Sequence, residues 1–70
     1  MFINRKNDGR FIASFDAADM LRKVINNTEN ARLVFESTED HSTNAVMLVE
    51  GDLEAVARSI SDMRIPYLVG

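Results

Sequence analysis

Apolar and polar residues alternate from Phe11 to Phe15, with Phe11, Ala13 and Phe15 on one side and Ile12 and Ser14 on the other, a pattern that predicts a strand with one strongly apolar face. Upstream, Phe2-Ile3 and the turn residues Asn7-Asp8-Gly9 predict a hairpin whose tip bears Arg5, Lys6 and Arg10. At Asp16 the period changes. Ala17, Met20, Leu21 and Val24 recur at helical spacing, with Asp16 placed to accept from first-turn amides and Asp19 placed to favour the helix dipole and reach Lys23 four residues on. Asn26-Asn27-Thr28 ends that helix. Alternation returns over residues 31–36, placing Ala31, Leu33 and Phe35 on one face and Arg32, Val34 and Glu36 on the other, and the polar run from Ser37 to Asn44 reads as a loop. Ala45-Val46-Met47-Leu48-Val49 is apolar on both faces, as a central strand covered on both sides would be. After Gly51-Asp52, Leu53, Val56, Ala57 and Ile60 form a second helical stripe, with Glu54, Arg58 and Asp62 at i+4 intervals beside it. Pro66 disfavours helix for the residue before it, which leaves Tyr67-Leu68-Val69 as a short final strand.

A shift of 36 residues lays the two halves over one another: Asp16 falls on Asp52, Met20 on Val56, Leu21 on Ala57 and Val24 on Ile60. Each half is a strand, an acidic cap, a helix and a strand. Two such units with both helices on one sheet face make an α+β two-layer sandwich of the split βαβ, ferredoxin-like kind, a four-stranded antiparallel sheet covered by two helices. The N-terminal segment is either a bent extension of the first main strand or an extra fifth strand, because that strand already has both edges occupied in the ferredoxin-like order. No Pro/Gly/Ser-rich linker interrupts the chain, so residues 1–70 read as a single domain.

Helices on one face leave the other sheet face open, and in a monomer that face should be polar. Whichever side of the central strand points away from the helices, it presents either Val46 and Leu48 or Ala45, Met47 and Val49, and the first strand adds Ile12 or Phe11 and Phe15. An apolar open face marks a protein contact. A homodimer interface is therefore expected at Phe11, Val46, Met47 and Leu48. Size points the same way, since a 70-residue domain buries only about 60% of the surface its unfolded chain exposes and gains from a partner.

The formal charge of −3 argues against a general polyanion binder. It is unevenly spread. Residues 1–23 carry five cations against three anions, a net +2, and residues 24–70 carry three against eight, a net −5. With no cysteine there is no disulfide, thiolate metal site or cysteine nucleophile. The chain has no apolar run of membrane-span length and its start, Met-Phe-Ile-Asn-Arg-Lys, lacks a signal-peptide layout, so no membrane association and a cytoplasmic location are expected.

Candidate chemistry is sparse. An RNA-recognition module stacks bases on aromatics of its central strands, and Ala45 to Val49 has none. A metal carrier of this outline needs paired cysteines where Phe15-Asp16-Ala17-Ala18 stands, and an acylphosphate hydrolase needs a glycine-rich phosphate loop, whereas no glycine lies between Arg10 and Glu50. In size and element order the chain is similar to an ACT-type amino-acid-sensing domain, with Asp16-Ala17 where such domains place a glycine; that resemblance implies a small ligand bound at a dimer interface. The one histidine, His41, sits in Glu39-Asp40-His41-Ser42, and sequence neighbours on one loop do not converge as catalytic groups held by separate rigid elements do. Glu36, Glu39, Asp40, Glu50 and Asp52 lack EF-hand spacing. Met47 and Met63 offer an adaptable surface or, more simply, core filling.

The expectation is a small non-enzymatic protein without cofactor or metal that binds another protein as an adaptor or inhibitor, in the manner of small host-targeting proteins of phages and other mobile elements. Its partner-binding candidates are Arg5, Lys6, Arg10 and Tyr67, because Arg and aromatic side chains carry much of interface energy, together with the acidic Glu39 and Asp40. An alternative is weak nucleic-acid binding through the basic N-terminal tip.

Overall fold

A computed structural model describes residues 1–38 and 43–70. The element order is β1 (Ile3–Arg5), β2 (Arg10–Ser14), α1 (Phe15–Asn27), β3 (Ala31–Thr38), β4 (Asn44–Gly51), α2 (Leu53–Asp62) and β5 (Tyr67–Val69). The strands form one five-stranded sheet in the order β3-β4-β2-β1-β5. Neighbours pair antiparallel except β1 and β5, which are parallel.

The chain is thus an α+β domain, but its sheet is mixed and five-stranded and not the expected four-stranded antiparallel one. The reason lies at the N-terminus. Asn7-Asp8-Gly9 makes a real turn: Gly9 takes a left-handed φ of 89°, the Lys6 amide donates to the Arg10 carbonyl at 2.8 Å, and β1 folds back so that Ile3 lies opposite Ala13. That hairpin takes the free edge of β2. The last strand is displaced outward by one position, where the Ile3 amide donates to the Pro66 carbonyl at 2.9 Å. Two strand-helix-strand units survive, β2-α1-β3 split by β4 and β4-α2-β5 split by β2 and β1.

Strand period sets the core. Ile3, Phe11, Ala13, Ala45, Met47 and Val49 share one sheet face and are buried against Ala17, Ala18, Leu21 and Ile25 of α1 and Val56 and Ile60 of α2. Burying a side chain such as Phe11 or Leu21 stabilises by about 1.5–3 kcal/mol. Both helices therefore lie on the same face.

The two helix starts differ more than their sequences suggest. Asp52 caps α2, its Oδ1 accepting from the Ala55 amide at 3.1 Å. The equivalent place before α1 is Ser14, and Asp16 sits inside the first turn, where it accepts from the Ser14 hydroxyl at 2.6 Å and the Ala17 amide at 2.8 Å. Asp19 pairs with Arg22 at i+3 and not with Lys23.

One register fault matters for the surface. Leu33 lies opposite Val49 on the helix-covered face, but a bulge at Val34 lets Phe35 lie opposite Leu48, whose side chain points the other way. Glu36, opposite Met47, then faces the helices and pairs with Arg22 of α1. The expected grouping of Ala31, Leu33 and Phe35 on one face fails at this extra residue.

Candidate functional site

The sheet face turned away from the helices is set by the same alternation. Ile12, Val46 and Leu48 lie on it, half-buried by their neighbours, and Asn4 continues the row because it sits opposite Ile12. Across the sheet the row runs Ser37, Val46, Ile12, Asn4, Leu68, and a second row joins Phe35, Leu48 and Arg10. Phe35 is 57% exposed and Leu68 68%. The bulge delivers Phe35 to this face, and periodicity alone assigns it to the other. Asp8 and Arg10 pair at 2.8 Å, and Arg32 and Glu50 at 2.9 Å, so the cations on and beside the apolar rows carry their own counter-ions.

Of the four residues expected at an interface, Val46 and Leu48 lie on this face and Ile12 joins them. Phe11 and Met47 do not: each is fully buried beneath the helices, because they occupy the alternate positions of the same strands.

The basic tip does not form one patch. Arg5 shares the helix-covered side with Ile3 and donates to Glu54 of α2 at 2.9 Å. That hydrogen bond chiefly holds the Arg5 guanidinium above its ordinary pKa, with burial opposing and the adjacent Tyr67 hydroxyl adding. Arg10 is on the open side, and its Nε donates to Asp8. Asp8 is held below the usual carboxylate range, first by the Arg10 backbone amide. Lys6 turns its Nζ back to the Gly70 carbonyl oxygen at 3.2 Å. Tyr67 is half-buried on the helix-facing side, and its hydroxyl is buried without a hydrogen bond of normal geometry. Glu39 and Asp40, with His41, lie outside the described residues.

A groove of about 310 Å³ runs between α1 and α2, walled by Met20, Val24 and Met63 and rimmed by Lys23 and Ser59. Met63 therefore lines the same groove as Met20, whereas Met47 is in the core. Among the described residues no group of three His, Asp or Glu side chains is assembled to hold a metal, and no helix is long and apolar enough to cross a membrane. Comparison of the chain with protein-family models, curated proteins and solved structures finds no match.

Proposed function

We propose that this chain is a small non-enzymatic protein-binding module, an adaptor or inhibitor of a larger protein, and that its contact surface is the open sheet face. The observation that supports the reading is the apolar band of Ile12, Val46, Leu48 and Phe35 on a face no described element covers. Phe35 is the anchor: an aromatic ring more than half exposed, on edge strand β3 beside Leu48, gains most from a partner's pocket. The charged groups beside the band, already paired, give a polar rim that aligns the partner and adds little energy.

The test is capture from a native cell extract with wild-type protein and with the Phe35→Asp and Leu48→Asp variants, each first shown to keep its circular dichroism and melting temperature. The expected result is one or more proteins retained by the wild type and by Lys6→Ala, and lost from both face variants. Retention undiminished in both variants removes the open face from the reading.

A further inference from the structure

The two edges of the sheet are unlike. β3, at one edge, is bulged at Val34 and carries Arg32 and Glu36, features that discourage another strand from pairing. β5, at the other, has no charge and no bulge, and its Leu68 and Val69 are 68% and 66% exposed. Its backbone polarity follows from the parallel ladder with β1. The Ile3 amide donates to Pro66 and the Gly70 amide to Arg5, so Pro66, Leu68 and Gly70 turn their polar groups inward. Tyr67 and Val69 turn theirs outward, where no partner meets them among the described residues.

We propose that a second copy of this chain adds to the sheet along β5, antiparallel, with Leu68 on the two-fold axis. In that register each Tyr67 lies opposite Val69 of the second copy, and these outward-turned residues exchange both hydrogen bonds in each pair. Leu68 meets its own counterpart in the intervening pair, where no backbone bond is made and side chains approach most closely. Pro66 falls opposite Gly70, again at inward-turned positions, so its missing N–H interrupts nothing. A second copy thus satisfies all four outward backbone groups of Tyr67 and Val69 with its own four, and sets an apolar Leu68 against an apolar Leu68. The strand places no like charges opposite each other, and the nearest ammonium, on Lys6, is turned back to the Gly70 carbonyl.

A two-fold axis perpendicular to the sheet keeps both helical layers on one side and both open faces on the other. The row through Val46, Ile12, Asn4 and Leu68 then continues into the second copy, and the dimer offers a doubled contact surface. Self-association along β5 stands independently of what the open face binds. Three residues of strand pairing fall well short of the roughly 1,600 Å² of a standard stable interface, so the dimer forms reversibly and dissociates on dilution.

Sedimentation across a concentration series tests this. Wild-type protein is expected to rise from 7.9 kDa toward twice that mass. Val69→Pro removes one outward N–H and leaves the bonds of Leu68 and Gly70 to β1 intact, while Leu68→Lys sets two ammonium groups across the axis. Both are expected to stay monomeric at unchanged melting temperature, and Leu48→Asp to dimerise as the wild type does. Amide exchange on wild-type protein gives a readout free of variants: Tyr67 and Val69 slow on concentration, and Leu68 is protected throughout. A wild type that is monomeric at every concentration, a dimer that persists in both edge variants, or one lost only in Leu48→Asp would falsify the β5 pairing.

Discussion

Phe35 lies opposite Leu48 in the β3-β4 ladder, one step out of phase with Leu33 opposite Val49. The extra residue, Val34, turns an aromatic side chain from the core to the open face, and the two aromatics Phe35 and Phe11 consequently have opposite energetic roles. Phe11 is fully buried and Phe35 is 57% exposed. Phe11→Ala is expected to cost about 3–5 kcal/mol, enough to unfold a domain of marginal stability. Phe35→Ser is expected to change the unfolding free energy by no more than about 0.5 kcal/mol. Urea unfolding of both variants checks this, and comparable losses would mean that the ring at 35 is covered.

Gly51 supports a sharper contrast. It ends β4 with a φ of 108°, and a Cβ there would lie 1.9 Å from the Asn30 carbonyl oxygen. That oxygen accepts from the Asp52 amide at 2.8 Å, and Gly51 itself pairs with Ala31, so neither backbone can retreat without breaking the start of β3 or the entry to α2. Gly51→Ala is expected to cost well over 1 kcal/mol, roughly the limit of the effect in unstrained settings. At Gly9 the φ is 89° but the nearest atom to an added Cβ, the Val49 carbonyl oxygen, is 3.0 Å away. Thermal unfolding should rank Gly51→Ala far below Gly9→Ala; equal losses would show that the positive φ the two share, and not the contact with Asn30, governs.

Local pattern carries the elements and stops short of their arrangement. Each strand and helix is announced by its period or by a turn residue, as at Asn7-Asp8-Gly9, Pro66 and the doubly apolar run from Ala45 to Val49, but their ends are not. β3 runs on to Thr38 and β4 begins at Asn44, within the polar run expected to be a loop. Phe15, expected on the apolar face of the first strand, opens α1 and is 48% exposed. The strand order depends on which edge the β1-β2 hairpin occupies against β5, a contest between segments more than sixty residues apart that no local signal records. The candidate surface is legible in the same partial way. Alternation pairs Val46 with Leu48 and separates both from Met47, but only the position of the helices says which set is open. The bulge that brings Phe35 there inserts one residue, Val34, into an otherwise regular alternation, and nothing in its side chain marks it.

Arg22 links α1 to β3 and gives the fold a pH dependence. Its Nε donates to Glu36 at 2.7 Å and its other nitrogens bond Glu36 and Asp19. The Glu36 carboxyl is held below its ordinary value, first by the Arg22 hydrogen bond, with burial opposing. A carboxylate with a lowered folded pKa stabilises fully above its unfolded value, roughly 4.3, and that contribution is lost as pH falls through the lowered one. Unfolding free energy should therefore decline as the solution is acidified below that range. Arg22→Gln should be less stable than wild type at neutral pH, with the gap closing under acid. A gap of the same size at both ends of the titration would show that Arg22 acts through packing and not through charge.

Ser14 and Asp52 hold equivalent places ahead of the two helices and serve them differently. Asp52 Oδ1 accepts from the Ala55 amide, so Asp52→Ala should cost about 0.5–2 kcal/mol and Asp52→Ser much less. Ser14 makes no such cap. Its hydroxyl oxygen instead accepts from the Phe2 amide at 3.0 Å and donates to Asp16 at 2.6 Å, tying the entry of β1 to the first turn of α1. Asp16 is held below the usual carboxylate range, chiefly by that hydroxyl. Ser14→Ala should accordingly speed amide exchange at Phe2 and raise the Asp16 pKa, both readable by nuclear magnetic resonance. Asp52→Ala should leave both unchanged, because the α2 cap touches neither residue. Unaltered exchange at Phe2 in Ser14→Ala would show that β1 is held by its pairing with β2 and β5 alone.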